Sequence, residues 1–168
     1  MSLILAIALL IFVILTLVAL LHLFWAVGGK WPGKDDESLA KTVIGRKGMT
    51  QIPKAGLTFL VAFLIFIAGL IPLLWLIEKD SALELTKMGP ASFHPILALM
   101  NSMLPLWVLK IAMIGLTVIF FARGLVTYTS LAQQQTPEEP FRSLDKKYYA
   151  PLCLGLGVCY LCVLLSKL

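Results

Sequence analysis

LILAIALLIFVILTLVALLHLFWAV, residues 3–27, contains no Lys, Arg, Asp or Glu. About 20 apolar residues in a helix cross a hydrocarbon core roughly 30 Å thick. This run crosses with residues to spare. A cleaved leader would carry a basic start and a small-x-small site before a polar mature sequence. Here Met1 and Ser2 lead straight into apolar residues, so the run reads as a retained membrane helix.

Three further runs follow. Residues 55–77 are free of charge and carry Pro72 near their end. Residues 105–126 begin at Pro105, with Lys110 near one end and Arg123 near the other, where long side chains reach opposite surfaces. Residues 148–165 form a shorter fourth span with Pro151 in its first turn. A stretch at 93–103 is apolar but too short to cross, and predicts an interfacial or re-entrant helix before the third span. The fold expected is all-α: one polytopic domain over residues 1–168, a four-transmembrane-helix bundle.

Composition agrees. The chain has 168 residues, of which 60% are hydrophobic and 14% charged, and the mean hydropathy is +0.93. A soluble domain of this size leaves too much surface in water to hide that apolar content. The net charge of +5 does not point to nucleic acid, because the basic residues flank apolar runs and no reader motif is present. Their placement reports topology. Lys30, Lys34, Lys41, Arg46, Lys47 and Lys54 fall in the first loop. Arg123, Arg142, Lys146 and Lys147 fall at the third. Lys79, Lys87 and Lys167 lie on the other side. The excess predicts cytoplasmic first and third loops and outward termini.

With four spans, the polar residues collect at one end: His22, Trp25, Gly28, Gly29, Trp31, Arg123, Arg142, Asp145, Tyr148 and Tyr149. His22 and Trp25 share a helix face. His22 reads either as a ligand-binding or proton-shuttling group, or as a residue at the headgroup boundary. Trp25 and Trp31 fit an aromatic belt. Gly28-Gly29 reads as a helix C-cap rather than a phosphate loop. Arg123 pairs with Asp145 or snorkels. Arg142, three residues from Asp145, is a rival partner, and Asp145 also suits a helix cap. Tyr149 anchors the interface or lines a pocket.

Cys159 and Cys162 sit in an apolar helix with no nearby base, and read as inert. No His, Cys and carboxylate cluster has metal-ligand spacing, so no metal or other cofactor is expected.

Three stretches carry a family likeness: His22 to Pro32 (HLFWAVGGKWP), Phe120 to Gly124 (FFARG), and Phe141 to Leu154 (FRSLDKKYYAPLCL). Together they resemble the bacterial membrane family called domain of unknown function 3995, over essentially the whole chain. The resemblance implies a small four-helix inner-membrane protein and supplies no activity, substrate or cofactor.

The leading expectation is a binding protein. A cleft at the cytoplasmic end, walled by the first, third and fourth spans, would hold a lipid or other small amphipathic or anionic molecule. His22, Trp25, Arg123, Arg142, Asp145 and Tyr149 are its candidate contacts. The rivals are an accessory subunit of a membrane complex, with a membrane-protein partner or a second copy of the chain, and last a membrane enzyme using His22 as acid or base.

Overall fold

The computed structural model describes residues 3–84 and 105–166, with backbone alone for 78–84. The expected interfacial helix at 93–103, with His94, lies outside the described residues. Within them the chain is helical: α1 (Leu3–Ala26), α2 (Asp36–Val43), α3 (Ala55–Glu84), α4 (Leu106–Val126), α5 (Ser130–Gln135), α6 (Phe141–Leu144), a π-helical turn (Asp145–Tyr149) and α7 (Ala150–Leu165). Four stretches are long and apolar enough to span a membrane: Leu3–Ala26, Ala55–Ile77, Leu106–Val126 and Phe141–Leu165.

α1 packs along α3, and α4 along α7. Contacts of α1 with α7 and of α3 with α4 close the bundle. On α1 the buried residues are Ala8, Ile11, Leu15 and Ala19. Their spacing of three or four draws one inward stripe along an otherwise apolar helix. The opposite face, with Leu10, Val13, Leu17 and Leu20, is bare and suits lipid. Small residues let the backbones approach. A Cβ on Gly69 would stand 3.2 Å from the Leu15 Cβ, and one on Gly124 would stand 2.6 Å from the Leu154 Cγ.

The core holds one long-range polar contact of particular weight. Pro72 sits inside α3. It lacks the N–H that the Ala68 carbonyl would otherwise accept from one turn on. The Tyr160 hydroxyl, from α7, donates to that carbonyl at 2.7 Å. Tyr160 is fully buried and its ring stacks on Phe120 with centroids 5.3 Å apart. The bond therefore ties α7 to α3 across the bundle and supplies the partner that proline removed.

The loops at one end are folded. α1 stops in a Schellman turn: Gly28, at φ +94°, donates to the Trp25 carbonyl at 3.0 Å, and Gly29 donates to the Phe24 carbonyl at 2.9 Å. The stretch Asp35-Asp36-Glu37 opens α2. Asp35 accepts from the Ser38 N–H at 2.7 Å, while the Ser38 hydroxyl oxygen accepts from the Asp35 N–H at 3.0 Å, a closed capping box. Leu39 and Ala40 are buried. Beyond α2, the Gly45 carbonyl accepts from the Glu138 N–H at 3.2 Å, and Phe141 lies directly against Gly45. The first and third loops thus meet at one end of the bundle.

The helices also run past the expected spans. α3 continues to Glu84. Helical structure begins at Phe141, ahead of the expected start at Tyr148, and α5 interrupts what reads as loop.

Two outcomes test these contacts. Tyr160→Phe strands a buried carbonyl and should cost about 1–3 kcal/mol. In a Pro72→Ala background, where residue 72 regains its N–H, the same change should cost clearly less. A double-mutant cycle by chemical unfolding in micelles measures that coupling; a cost independent of residue 72 would refute the pairing. Secondly, the Ser38 backbone N–H, aided by its hydroxyl, holds the Asp35 carboxyl below the ordinary carboxylate range. The cap should therefore be complete above the unfolded-chain pKa and be lost as pH falls through the lower folded value. Amide exchange at Ser38, Leu39 and Ala40 should accelerate on acidification, and Asp35→Asn should abolish that pH response.

Candidate functional site

Asp145 opens the π-helical turn that precedes α7. Its backbone carbonyl accepts from the Ala150 N–H, five residues on. Single π turns inside helices recur at functional sites. Next in that register stands Pro151, which has no N–H for the Lys146 carbonyl. The Tyr128 hydroxyl donates to it at a long 3.4 Å.

The Asp145 side chain is buried, with 5% of the residue exposed. A buried carboxylate requires partners, and α4 supplies both. Arg123 Nη2 donates to one carboxylate oxygen at 2.7 Å, and the Thr127 hydroxyl donates to the other at 2.8 Å. Arg123 Nη1 in turn donates to the Thr127 hydroxyl oxygen at 2.8 Å. Each member holds the other two. Arg123 and Thr127 are one helical turn apart, so they present to Asp145 together. Of the two rival partners for Asp145, the structure pairs Arg123, and the N-cap positions of the π turn and of α7 are held by Leu144 and Tyr149.

Arg142 turns elsewhere. Its Nη2 donates to the Gln133 side-chain oxygen on α5 at 3.2 Å. Thr127, Ala132, Gln133, Thr136, Arg142, Asp145 and Lys146 line a shallow depression. Its volume is about 10 Å³, room for roughly one water. Tyr149 packs its ring against Phe141 at 6.0 Å, and so joins the contact with the first loop rather than the depression.

His22 and Trp25 form a separate group. The His22 Nδ1–H donates to the Val18 carbonyl at 2.8 Å. A carbonyl only accepts, so the lone pair falls on Nε2. The His22 and Trp25 rings are 4.9 Å apart, and Trp25 Nε1 donates to the Trp31 carbonyl at 2.7 Å. Among the described residues, no hydrogen bond, ion pair or ring contact joins this group to Arg123 or Asp145.

Of the expected site residues, then, Arg123 and Asp145 bond directly, and Arg142 and Asp145 share the depression. Thr127, Gln133, Thr136 and Lys146 belong to it without having been singled out. For Thr127 the signal was present, four residues after Arg123. The other three sit in a stretch that reads as loop. No group of three or more His, Cys, Asp or Glu capable of holding a metal occurs among the described residues.

The closed triad predicts asymmetric costs. Arg123→Gln leaves a buried carboxylate with one donor, and should destabilise by about 3 kcal/mol. Asp145→Asn leaves Arg123, whose side chain is 39% exposed, free to reach water, and should cost only about 1–2 kcal/mol. The pair together should cost less than the sum. Unfolding in micelles reads all three; equal and additive effects would show that the triad is not a unit.

Comparison with curated proteins and with solved structures returns no match. The family model described as "Protein of unknown function (DUF3995)" matches residues 15–160. That span runs from the middle of α1 to Tyr160 and takes in the whole triad. The chain belongs to the DUF3995 family.

Proposed function

We propose that this is a membrane-bound binding protein for a small anionic amphiphile, held where α5, α6 and the π turn meet the end of α4. The observation that carries this reading is a charge imbalance. Asp145 is already neutralised by Arg123 and Thr127. Arg142, in contrast, donates to a neutral amide oxygen, and neither it nor Lys146 has an ion pair among the described residues. The depression thus has two cations and no free carboxylate. Leu131 and Tyr148, next to lining residues in sequence, are 65% and 53% exposed and add apolar surface to α5 and the π turn. Polar groups converging beside apolar surface suit a ligand with a charged head and an apolar body. The concentration of basic residues in the first and third loops supports a cytoplasmic location for this end.

The acid–base reading of His22 gains no support. Its Nδ1 proton is committed to its own helix, and among the described residues no carboxylate or second base contacts the ring.

Protein purified in mild detergent should retain anionic lipid, visible by native mass spectrometry. The double variant Arg142→Gln/Lys146→Gln should lose most of it while its melting temperature holds. Lys47→Gln/Lys54→Gln removes equal charge from the first loop and should retain the lipid. Equal retention by all three proteins would defeat the reading.

A further inference from the structure

We infer that the group recognised at this depression is a doubly charged phosphoryl monoester, carried on a lipid or free in solution. The inference rests on the anionic-amphiphile reading above and narrows it. Arg142 and Lys146 stand four residues apart and line the same depression. Like charges at that spacing destabilise a helix, and Lys147 follows immediately. No neighbouring carboxylate forms an ion pair with either cation among the described residues. Asp145 is bound to Arg123 and Thr127. Glu139 accepts the Ser143 N–H at 3.2 Å, a neutral donor that leaves its charge in place, and Glu138 lies outside the lining of the depression. An incoming dianion would meet both lining cations at once, where a monoanion would match one of them.

The donor set points the same way. Arg142 uses one of its N–H groups on Gln133 and has others to offer. The Gln133 oxygen is occupied by that bond, so its amide N–H groups remain for an acceptor. The Lys146 ammonium adds three donors. Two cations and an amide are matched by an acceptor with several terminal oxygens. A phosphoryl monoester has three and a charge near −2 at neutral pH; a phosphodiester has two and a single charge. Arg forks and Lys point charges are the usual partners of such groups. The depression is too small to enclose a phosphoryl group, so the head lies across its mouth.

The test uses the full chain in micelles and reads melting temperature against added ligand. The probes are short-chain phosphatidic acid, short-chain phosphatidylglycerol and inorganic phosphate. Phosphatidic acid should stabilise the protein and bind about tenfold more tightly than phosphatidylglycerol. Arg142→Gln and Lys146→Gln should each weaken it by a similar factor. Gln133→Glu sets an internal carboxylate beside Arg142; it should abolish binding while raising the melting temperature of the unliganded protein, which separates lost binding from lost folding. Inorganic phosphate that competes at low concentration identifies a soluble ligand, and phosphate that fails to compete identifies a lipid headgroup; either result upholds the phosphoryl chemistry. Equal binding of phosphatidylglycerol, still dependent on Arg142 and Lys146, overturns the dianion and leaves the broader reading standing. Binding indifferent to both residues overturns the two together.

Discussion

Inside hydrocarbon a backbone carbonyl has no water to turn to. Two prolines in this chain each remove the N–H that one carbonyl would have used. At Pro72 the orphan is the Ala68 oxygen, taken up by Tyr160. At Pro151 it is the Lys146 oxygen, approached by Tyr128. In each case the donor comes from outside the helix that carries the proline. A defect in one helix has become a bond to another element: α7 to α3 in the core, and the turn after α4 to the π turn at the rim. Lipid gives apolar side chains little reason to prefer each other over acyl chains. Bonds of this kind and close contacts at small residues therefore carry the specificity of packing that the hydrophobic effect carries in water.

The π turn is where fold and site meet. One extra residue in a helical turn rotates everything after it by about 100° relative to what precedes. The turn begins at Asp145 and ends at Tyr149. Asp145 turns inward to Arg123 and Thr127, whereas Lys146 lines the depression and Tyr149 meets Phe141. Phe141 in turn rests on Gly45 of the first loop. The same short stretch thus holds the buried carboxylate, presents the cations and docks the two loops. A change in this stretch is therefore felt in three places.

How much of this was legible follows from the same physics. A charge-free run of twenty or more residues states its solvent outright, which fixes the first two spans; the third, with Lys110 and Arg123 toward its ends, and the shorter fourth are still apolar enough to be read from residue types. The positions of Arg123 and Asp145 followed from topology, since two consecutive span ends share a surface. Tyr160 was not legible. Its helix is apolar on every side, and periodicity cannot distinguish a lipid-facing residue from a buried one when both are apolar. α2 was overlooked because Asp35-Asp36-Glu37 reads as surface charge; the Asp35 and Ser38 spacing that caps the helix was in plain view. The early helical start at Phe141 is hidden by the polar residues among 142–147, which look like loop and are instead spread around a helix end, Asp145 buried and Ser143 and Lys147 exposed.

The Arg123–Thr127–Asp145 triad also explains why a charge surplus can exist beside it. Were Asp145 open, it would lie among Arg142, Lys146 and Arg123, and would answer whichever approached. Instead two short bonds from α4 fix both of its oxygens. This removes the only carboxylate in the lining of the depression from competition. The cost of burying one charge is met locally by Arg123, and Arg142 and Lys146 keep theirs. Neutralising one pair is what leaves the other two cations unpaired, so the triad, two of whose members line the depression, sets its charge. Its contribution is electrostatic: it decides which charges at this end of the bundle are already spoken for.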